Sequence, residues 1–294
     1  MRVLVAGASG FLGSALVPRL REAGHEVRRL VRRDTRAAEE YSWDPPAGRI
    51  DEGAFDGVGA VVNLCGAPLA PGRWSAARKQ LLIDSRIEPT EVLAEAVAEH
   101  GVPVLVNASG INYYGPMGDA EVDESAPAGG GFLAELCTAW EAATAPAAHA
   151  GARVVLLRTA PVLSGKGGLL GPLRPLFRLG LGARFGDGRQ YMPWISLPDH
   201  LEAARFVLEH AEISGAVNLT APRPVTNAEF VRSLGRAMHR PAPWRVPGMA
   251  LRIALGEAAE EMILTGPRAV PHRLLDAGFG FRHPDLDGAL AAVL

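Results

Sequence analysis

Residues 1–13, Met1-Arg-Val-Leu-Val-Ala-Gly-Ala-Ser-Gly-Phe-Leu-Gly13, decide the fold. Residues 2–6 form a short apolar run before a glycine, the pattern of a buried parallel strand. Gly7, Gly10 and Gly13 follow at spacing three and three. Ser14 to Ala23 then reads as an amphipathic helix. Strand, glycine turn and helix N-terminus together make an anion site. Gly7 permits the tight turn, Gly10 lets the backbone approach a pyrophosphate, and Gly13 lets the helix pack on the strand. A glycine triplet alone is weak; its place between strand and helix makes it a dinucleotide-binding turn. Ser9, Phe11 and Leu12 lie within this turn and share its contacts.

Further along the chain the same alternation continues. Residues 26–31 form a second strand, ending in Arg32, Arg33 and Asp34. In dinucleotide folds this point faces the adenosine ribose. An acid there bonds the 2′-hydroxyl of NAD, whereas arginines accommodate the 2′-phosphate of NADP. Two arginines precede the acid, which favours NADP and leaves NAD as the alternative. Residues 41–57 read as a loop through Trp43-Asp-Pro-Pro46; Trp43 either stacks on the adenine or packs on the core rim. A third strand, Ala60 to Leu64, runs into Cys65, Gly66 and Ala67, small residues that let a cofactor pass closely. Cys65 reads as a space-filler rather than a nucleophile, with no histidine near it in sequence. A long helical stretch follows Trp74, with Pro89 as a kink or boundary. Lys79 and Arg86 on it are either phosphate ligands or surface charges.

A fourth strand, Val102 to Val106, leads to Ala108, Ser109, Asn112 and Tyr113. A helix is expected from Phe132 to about Ala143, and a further strand from Val154 to Leu157, continuing to Pro161 and Val162. This order predicts an α/β fold: a doubly wound parallel sheet covered on both faces. From residue 164 the character changes to short helices and loops. Residues 1–163 are read as the dinucleotide domain, and 164–294 as a smaller mixed α/β lobe without a separate core. The strand and helix around 197–220 return to the first domain. Asp199 is expected to cap that helix, and Thr226 with Glu229 to form a capping box.

Bulk properties narrow the function. The 294 residues are 48% apolar and carry a net charge of −2. No long run of one sign is present, which argues against nucleic-acid and membrane-surface binding. No apolar run reaches the ~20 residues of a membrane span. The chain opens directly in a strand, with no targeting peptide expected. Two cysteines, Cys65 and Cys137, fit a reduced, cytoplasmic setting. His149, His200, His239, His272 and His283 show no metal-ligand spacing, so no metal is expected.

The assembled residues resemble the short-chain dehydrogenase/reductase superfamily in its extended, epimerase/dehydratase-like form. The resemblance rests on Gly7-x-x-Gly10-x-x-Gly13, Asn63-Leu-Cys-Gly66, Tyr113-Tyr-Gly115 and Leu157-Arg-Thr-Ala-Pro-Val162. Trp43-Asp-Pro45, Arg73-Trp74, Ser85-Arg-Ile87, Trp140-Glu141, Gly186-Asp-Gly-Arg-Gln190 and Trp194-Ile195 are similar to an atypical branch with its own small C-terminal domain. The resemblance implies a Rossmann-type fold, a small-molecule substrate, and a homodimer through helices flanking the usual catalytic helix as one possible assembly.

That superfamily's chemistry uses Tyr-x-x-x-Lys with an upstream hydroxyl, the phenolate moving a proton as hydride moves at the nicotinamide. Here the corresponding helix reads Gly131-Phe-Leu-Ala-Glu-Leu-Cys-Thr138. Neither Phe132 with Leu136 nor Leu133 with Cys137 transfers a proton, so the usual triad is absent. Ser109, Asn112 and Tyr113 are the candidate replacements. A phenol needs a nearby cation to act as a base at neutral pH. Glu135 is a further candidate, or simply surface. Lys166, Arg184, Arg189 and Gln190, with Tyr191 and Trp194 around them, are candidates to hold an anionic substrate group such as a nucleotide diphosphate. Two functions follow: an NADP(H)-dependent oxidoreductase or epimerase with a rearranged site, or a non-catalytic NADP(H)-binding sensor.

Overall fold

The computed structural model describes residues 1–70 and 72–294. Strand β1 (Arg2–Ala6) passes through the glycine turn into α1 (Phe11–Glu22) and then β2 (Glu26–Val31). β3 (Glu40–Asp44) and β4 (Arg49–Ile50) follow, then β5 (Ala60–Asn63), α2 (Ala76–Glu99) and β6 (Val104–Gly110). Next come β7 (Glu121–Val122), α3 (Phe132–Ala142), α4 (Ala145–His149) and β8 (Arg153–Thr159). The second half adds β9 (Val162–Ser164), β10 (Gly167–Gly168), α5 (Leu170–Arg178), β11 (Ala183–Phe185), β12 (Ile195–Ser196), α6 (Leu197–Glu209) and β13 (Gly215–Leu219). After α7 (Asn227–Ala237) and β14 (Trp244–Val246) come α8 (Gly248–Leu255), α9 (Glu257–Ala259) and a π-helical turn at Glu260–Leu264. β15 (Arg268–Ala269), α10 (His272–Asp276) and α11 (Leu286–Val293) follow.

The main sheet has the strand order β13-β8-β6-β5-β1-β2-β3-β4. Its neighbours pair in parallel except β3 with β4. From β1 the chain moves first to β2 on one side and later to β5 on the other. That reversal opens a crevice at the carboxyl ends of the strands, where ligands of such sheets bind.

Both faces of the sheet are buried, which explains why β1 is apolar from Val3 to Ala6 rather than alternating. Successive side chains of a strand point to opposite faces. Val3 and Val5 join Leu16, Val17 and Leu20 of α1 and Leu201, Ala204 and Val207 of α6 in one cluster. Leu4 and Ala6 join Leu93, Ala94 and Val97 of α2 on the other face. A third cluster, built on Phe177, Trp194, Phe230, Leu234 and Leu290, belongs mainly to the C-terminal half. The sequence suggested a lobe without a core there; apolar faces of α5, α7 and α11 supply one. Trp194, expected near a substrate, is sealed into it at 1% exposure.

Several local expectations shift. Helix α1 begins at Phe11, three residues before Ser14, because Gly13 lets the first turn lie on the glycine loop. Residues 40–44 form a strand between β2 and the short edge strand β4 rather than part of a loop. Pro89 sits inside the single helix α2. Asp199 is not the cap of α6. Ser196 takes that place, its hydroxyl accepting from the Asp199 amide at 3.2 Å. The Thr226–Glu229 capping box forms as expected.

Candidate functional site

Gly7 and Gly13 hold the β1–α1 corner by close approach. Gly7 has φ +77°, and a Cβ on it would lie 2.7 Å from the Leu64 carbonyl carbon. A Cβ on Gly13 would lie 2.3 Å from the Gly7 carbonyl oxygen. Gly10 lines the crevice, and a Cβ on it would lie 3.3 Å from the Gly7 carbonyl oxygen. Among the described residues no side chain caps α1, and no acid stands in its first turn. Its free N–H groups and positive dipole end therefore point at the crevice without a partner of their own.

The crevice is a cleft of about 620 Å³. It brings together Gly7, Ser9, Gly10, Arg32, Arg33, Trp43, Cys65, Gly66 and Ala67 from the sequence-predicted set. Phe11 instead turns its ring toward Gly167 and Gly168 of the β9–β10 hairpin. Leu12 packs against the first core cluster. Ala108 and Ser109 lie at the end of β6, while Pro161 and Val162 lie at the start of β9; none of the four lines the cleft.

At the adenosine end the two arginines differ. Arg33 is clamped to Glu40 by hydrogen bonds of 2.8 and 2.9 Å, and Arg29 lies 3.2 Å from the same carboxylate. The Arg33 guanidinium and the Arg36 amide hold the Glu40 carboxyl down at about 2. Arg32 is exposed and, among the described residues, makes no ion pair or side-chain hydrogen bond. It is the cation left for a phosphate. Trp43 is buried at 4% exposure in the second core cluster and also lines the cleft.

The turn after β5 is clamped from α2. Ala67 donates its amide to the Ser85 hydroxyl at 3.0 Å, and Arg86 donates to the Ala67 carbonyl at 3.0 Å. Arg86 is buried over the Trp140 ring, and burial lowers it to about 10. Arg86 is therefore a positioning group rather than a surface charge. Burial pushes the Cys65 thiol up to about 12, which keeps it protonated and unreactive.

Ser109, Asn112 and Tyr113 separate in the structure. Ser109 is buried, and its hydroxyl donates to Glu141 at 2.7 Å. Glu141 accepts two further bonds of 2.9 Å from Arg158, whose guanidinium also donates to the Tyr114 hydroxyl. Burial opposes the charge on Arg158, but the Glu141 bonds outweigh it and raise the guanidinium above its ordinary value. Arg158 lies 3.4 Å from the centre of the Tyr113 ring, stacked over its face. Burial pushes the Tyr114 hydroxyl up to about 12, keeping it a neutral donor to Asn218.

Asn112 alone of the three lines a second cavity, of about 320 Å³, beside the N-terminus of α3. This cavity adjoins Gly131 and Leu133 and the C-terminal residues Glu260, Glu261 and Thr265. The Glu261 carboxylate accepts from the amides of Phe132 and Leu133, each at 2.7 Å. Gly131, at φ +104°, leaves room for it; a Cβ there would come 2.7 Å from the Glu261 oxygen. Asn112 donates to the Glu261 carbonyl at 3.2 Å. The inner face of α3 is apolar: Leu133 and Leu136 pack with Leu82, and burial holds the Cys137 thiol at about 11.

Glu260, Glu261 and Thr265 were missed in the sequence. Residues 257–261 carry three glutamates without a motif, and nothing local says that one of them caps a helix over a hundred residues away. Lys166, Arg184, Arg189 and Gln190 line neither cavity. Gln190 spends its amide on the Phe185 and Ile263 carbonyls. Among the described residues no three metal-ligating side chains gather, and no helix is long and apolar enough to cross a membrane.

Residues 3–220 match the NAD dependent epimerase/dehydratase family, and residues 246–293 match a domain of unknown function, DUF1731. An epimerase family protein of Mycobacterium bovis is 54% identical over 288 residues, 98% of this chain and 96% of that one. The Bos taurus epimerase family protein SDR39U1 is 37% identical over the full length of both chains. The crystal structure of human epimerase family protein SDR39U1 with NADPH is similar at a TM-score of 0.90 and 33% identity, covering 100% of this chain and 99% of that one.

Proposed function

The chain belongs to the NAD dependent epimerase/dehydratase family, and from there we propose that it is an NADP(H)-binding, epimerase-like oxidoreductase acting on a small or nucleotide-linked carbonyl or hydroxyl substrate. The observation that carries this reading is the bare N-terminus of α1, facing a cleft whose far end holds the unpaired Arg32. The glycine turn and the α1 amides suit a pyrophosphate. Arg32 suits a 2′-phosphate, and Trp43 with Pro45 and Pro46 suits an adenine. A related chain crystallised with NADPH supports the same choice. The nicotinamide supplies a hydride donor or acceptor. The chain's own residues bind and orient: Asn112 at the second cavity suits a substrate oxygen, and Ser109 and Glu141 hold Arg158 against Tyr113, the proposed proton donor.

A second reading is NADP(H) binding without turnover, as in a redox sensor. One observation favours it: α3 offers only Phe132 with Leu136, or Leu133 with Cys137, at the spacing where this superfamily carries a proton-transferring pair. Measuring NADPH and NADH affinities, then NADPH oxidation across a panel of carbonyl compounds, separates the two. The enzyme reading expects NADPH-selective binding and turnover of at least one carbonyl class, reduced in Tyr113→Phe. Tight NADPH binding with no turnover across the panel selects the sensor.

A further inference from the structure

The C-terminal half presents a surface that neither cavity uses. Residues 170–198 carry four arginines and one acid, Asp187, and residues 230–256 carry five arginines and no acid. Folding lays the two segments side by side. β11 pairs with β14 so that Arg184 stands opposite Arg245, and opposite residues of a parallel pair share a face. Arg240 donates to the Arg178 carbonyl at 3.3 Å, and Arg245 to the Gly186 carbonyl at 2.6 Å. Of the neighbouring arginines, Arg236 pairs with Asp287 and Arg252 with Glu260. Arg178, Arg184, Arg240 and Arg245 are all exposed, and among the described residues they meet no carboxylate. Asp187 is turned to the Arg189 amide at 3.0 Å.

Large apolar side chains stand among these cations. α5 ends in a left-handed turn at Gly180, φ +73°. The Gly180 amide bonds the Phe177 carbonyl and the Leu181 amide bonds the Leu176 carbonyl, each at 2.9 Å. This is a Schellman cap, and it gathers Leu176, Leu179 and Leu181 around one helix end. Trp244 donates its indole N–H to the Gly180 carbonyl at 2.8 Å, which joins it to them. Leu179 is 74% exposed, Trp244 57% and Leu181 54%. One exposed leucine means little; a cluster of them beside unpaired arginines marks a contact surface.

The chemistry of the surface narrows its partner. A second copy docked through the same patch would set arginine against arginine, because a two-fold contact meets itself. Nucleic acid would use the arginines but leave the leucines and the indole facing phosphate. A peptide strand added at the free edge of β14 would be stopped by Pro243 and Pro247, which flank that three-residue strand. An anionic bilayer surface meets both parts of the pattern. Leucine and tryptophan enter the boundary between headgroups and acyl chains, while arginines stay among the phosphates.

We propose that the β11–β14 pair and the end of α5 form a docking surface for a membrane rich in anionic lipid. The sequence has no run of one charge, and its composition argued against such binding; the arginines meet only across 59 and 62 positions of chain. Docking there needs no bound cofactor and stands apart from the oxidoreductase reading.

The test is sedimentation of the full chain with vesicles of phosphatidylcholine alone and with about 30% phosphatidylglycerol, at roughly 0.1 M and 0.5 M salt. At the lower salt, partition onto the anionic vesicles is expected to be at least about tenfold stronger than onto the neutral ones. It is expected to fall by about fivefold or more at the higher salt. Arg184→Gln with Arg245→Gln is expected to cost about tenfold, and Leu179→Ser with Leu181→Ser a similar factor. Tryptophan emission should shift to the blue on binding, and Trp244→Phe should bind without that shift. NADPH affinity and melting temperature are read for each variant and are expected to hold, since all these side chains are exposed. Equal partition onto neutral and anionic vesicles overturns the proposal. So does partition onto neither at about 1 mM lipid, or partition that both double variants leave intact. Binding of duplex DNA or polyglutamate without binding of vesicles gives the surface another partner and overturns it as well.

Discussion

Two helices of this protein begin at a glycine beside a cavity, and they end up opposite in character. α1 starts after Gly10 with its first-turn amides bare. α3 starts after Gly131 with its first amides filled by the Glu261 carboxylate. A helix N-terminus attracts an anion in either case. Where the anion is absent from the chain, a ligand is called for; where the chain brings its own, the helix is closed to anions and becomes a wall. The contrast separates the open end of α1, suited to a cofactor phosphate, from the closed end of α3, which is capped by the C-terminal segment.

The largest effect is expected from closing the open end. Gly13→Ala places a methyl 2.3 Å from the Gly7 carbonyl oxygen, and backbone rather than a flexible side chain must yield. NADPH affinity should fall by roughly 100-fold or more, with about 3 kcal/mol lost from stability, read by calorimetry and thermal melting. Retained affinity would mean that α1 does not rest on the glycine turn.

The network behind α3 comes next. Arg158→Met leaves the Glu141 carboxylate in a nearly buried site with only Ser109 to bond it. Removing one partner of a buried pair costs about 3–5 kcal/mol. Denaturant melts should show that loss, whereas an exposed pair such as Arg49–Asp44 should contribute almost nothing when Arg49 is replaced by Ala.

Opening the closed end has a smaller effect. Glu261→Ala removes two charge-assisted bonds from α3 and should cost about 1–2 kcal/mol in a denaturant melt. NADPH affinity should hold within about threefold, which keeps the two helix ends separable. An equal loss of cofactor affinity would join them into one site.

The smallest effect concerns pH. Glu40 is held at about 2 by Arg33 and the Arg36 amide, below its ordinary carboxylate value. A carboxyl depressed on folding adds stability that is present above its unfolded value and is lost as pH falls toward the folded one. The melting temperature of the wild type should therefore drop between pH 5 and pH 2 more steeply than that of Glu40→Gln. Parallel curves would mean that Glu40 is not ionised in its clamp.

The cofactor half was legible because its signals are local. Gly7, Gly10 and Gly13 act through backbone geometry within one turn, and Arg32 and Arg33 sit one strand later. Even so, sequence could not say that Arg33 belongs to Glu40, because their pairing depends on β3, most of which reads as a loop in the sequence. The cavity beside α3 was poorly legible because it is assembled across the chain. Glu261 reaches the start of α3 from residues 129 and 128 positions away. Ser109 was read as a free hydroxyl, and its consumption by Glu141 and Arg158 needed β6, α3 and β8 to meet. The core of the C-terminal half was missed for a related reason: Phe177, Trp194, Phe230 and Leu290 are scattered through short elements, so no single window carries the pattern.

The most direct test is a pair of titrations, NADPH and NADH, on the wild type and on Arg32→Ala. The bare α1 terminus and the unpaired Arg32 predict that NADPH binds at least about tenfold more tightly than NADH. They further predict that Arg32→Ala removes most of that difference while leaving NADH unchanged. Equal affinities in the wild type, or a difference that survives the loss of Arg32, would contradict it.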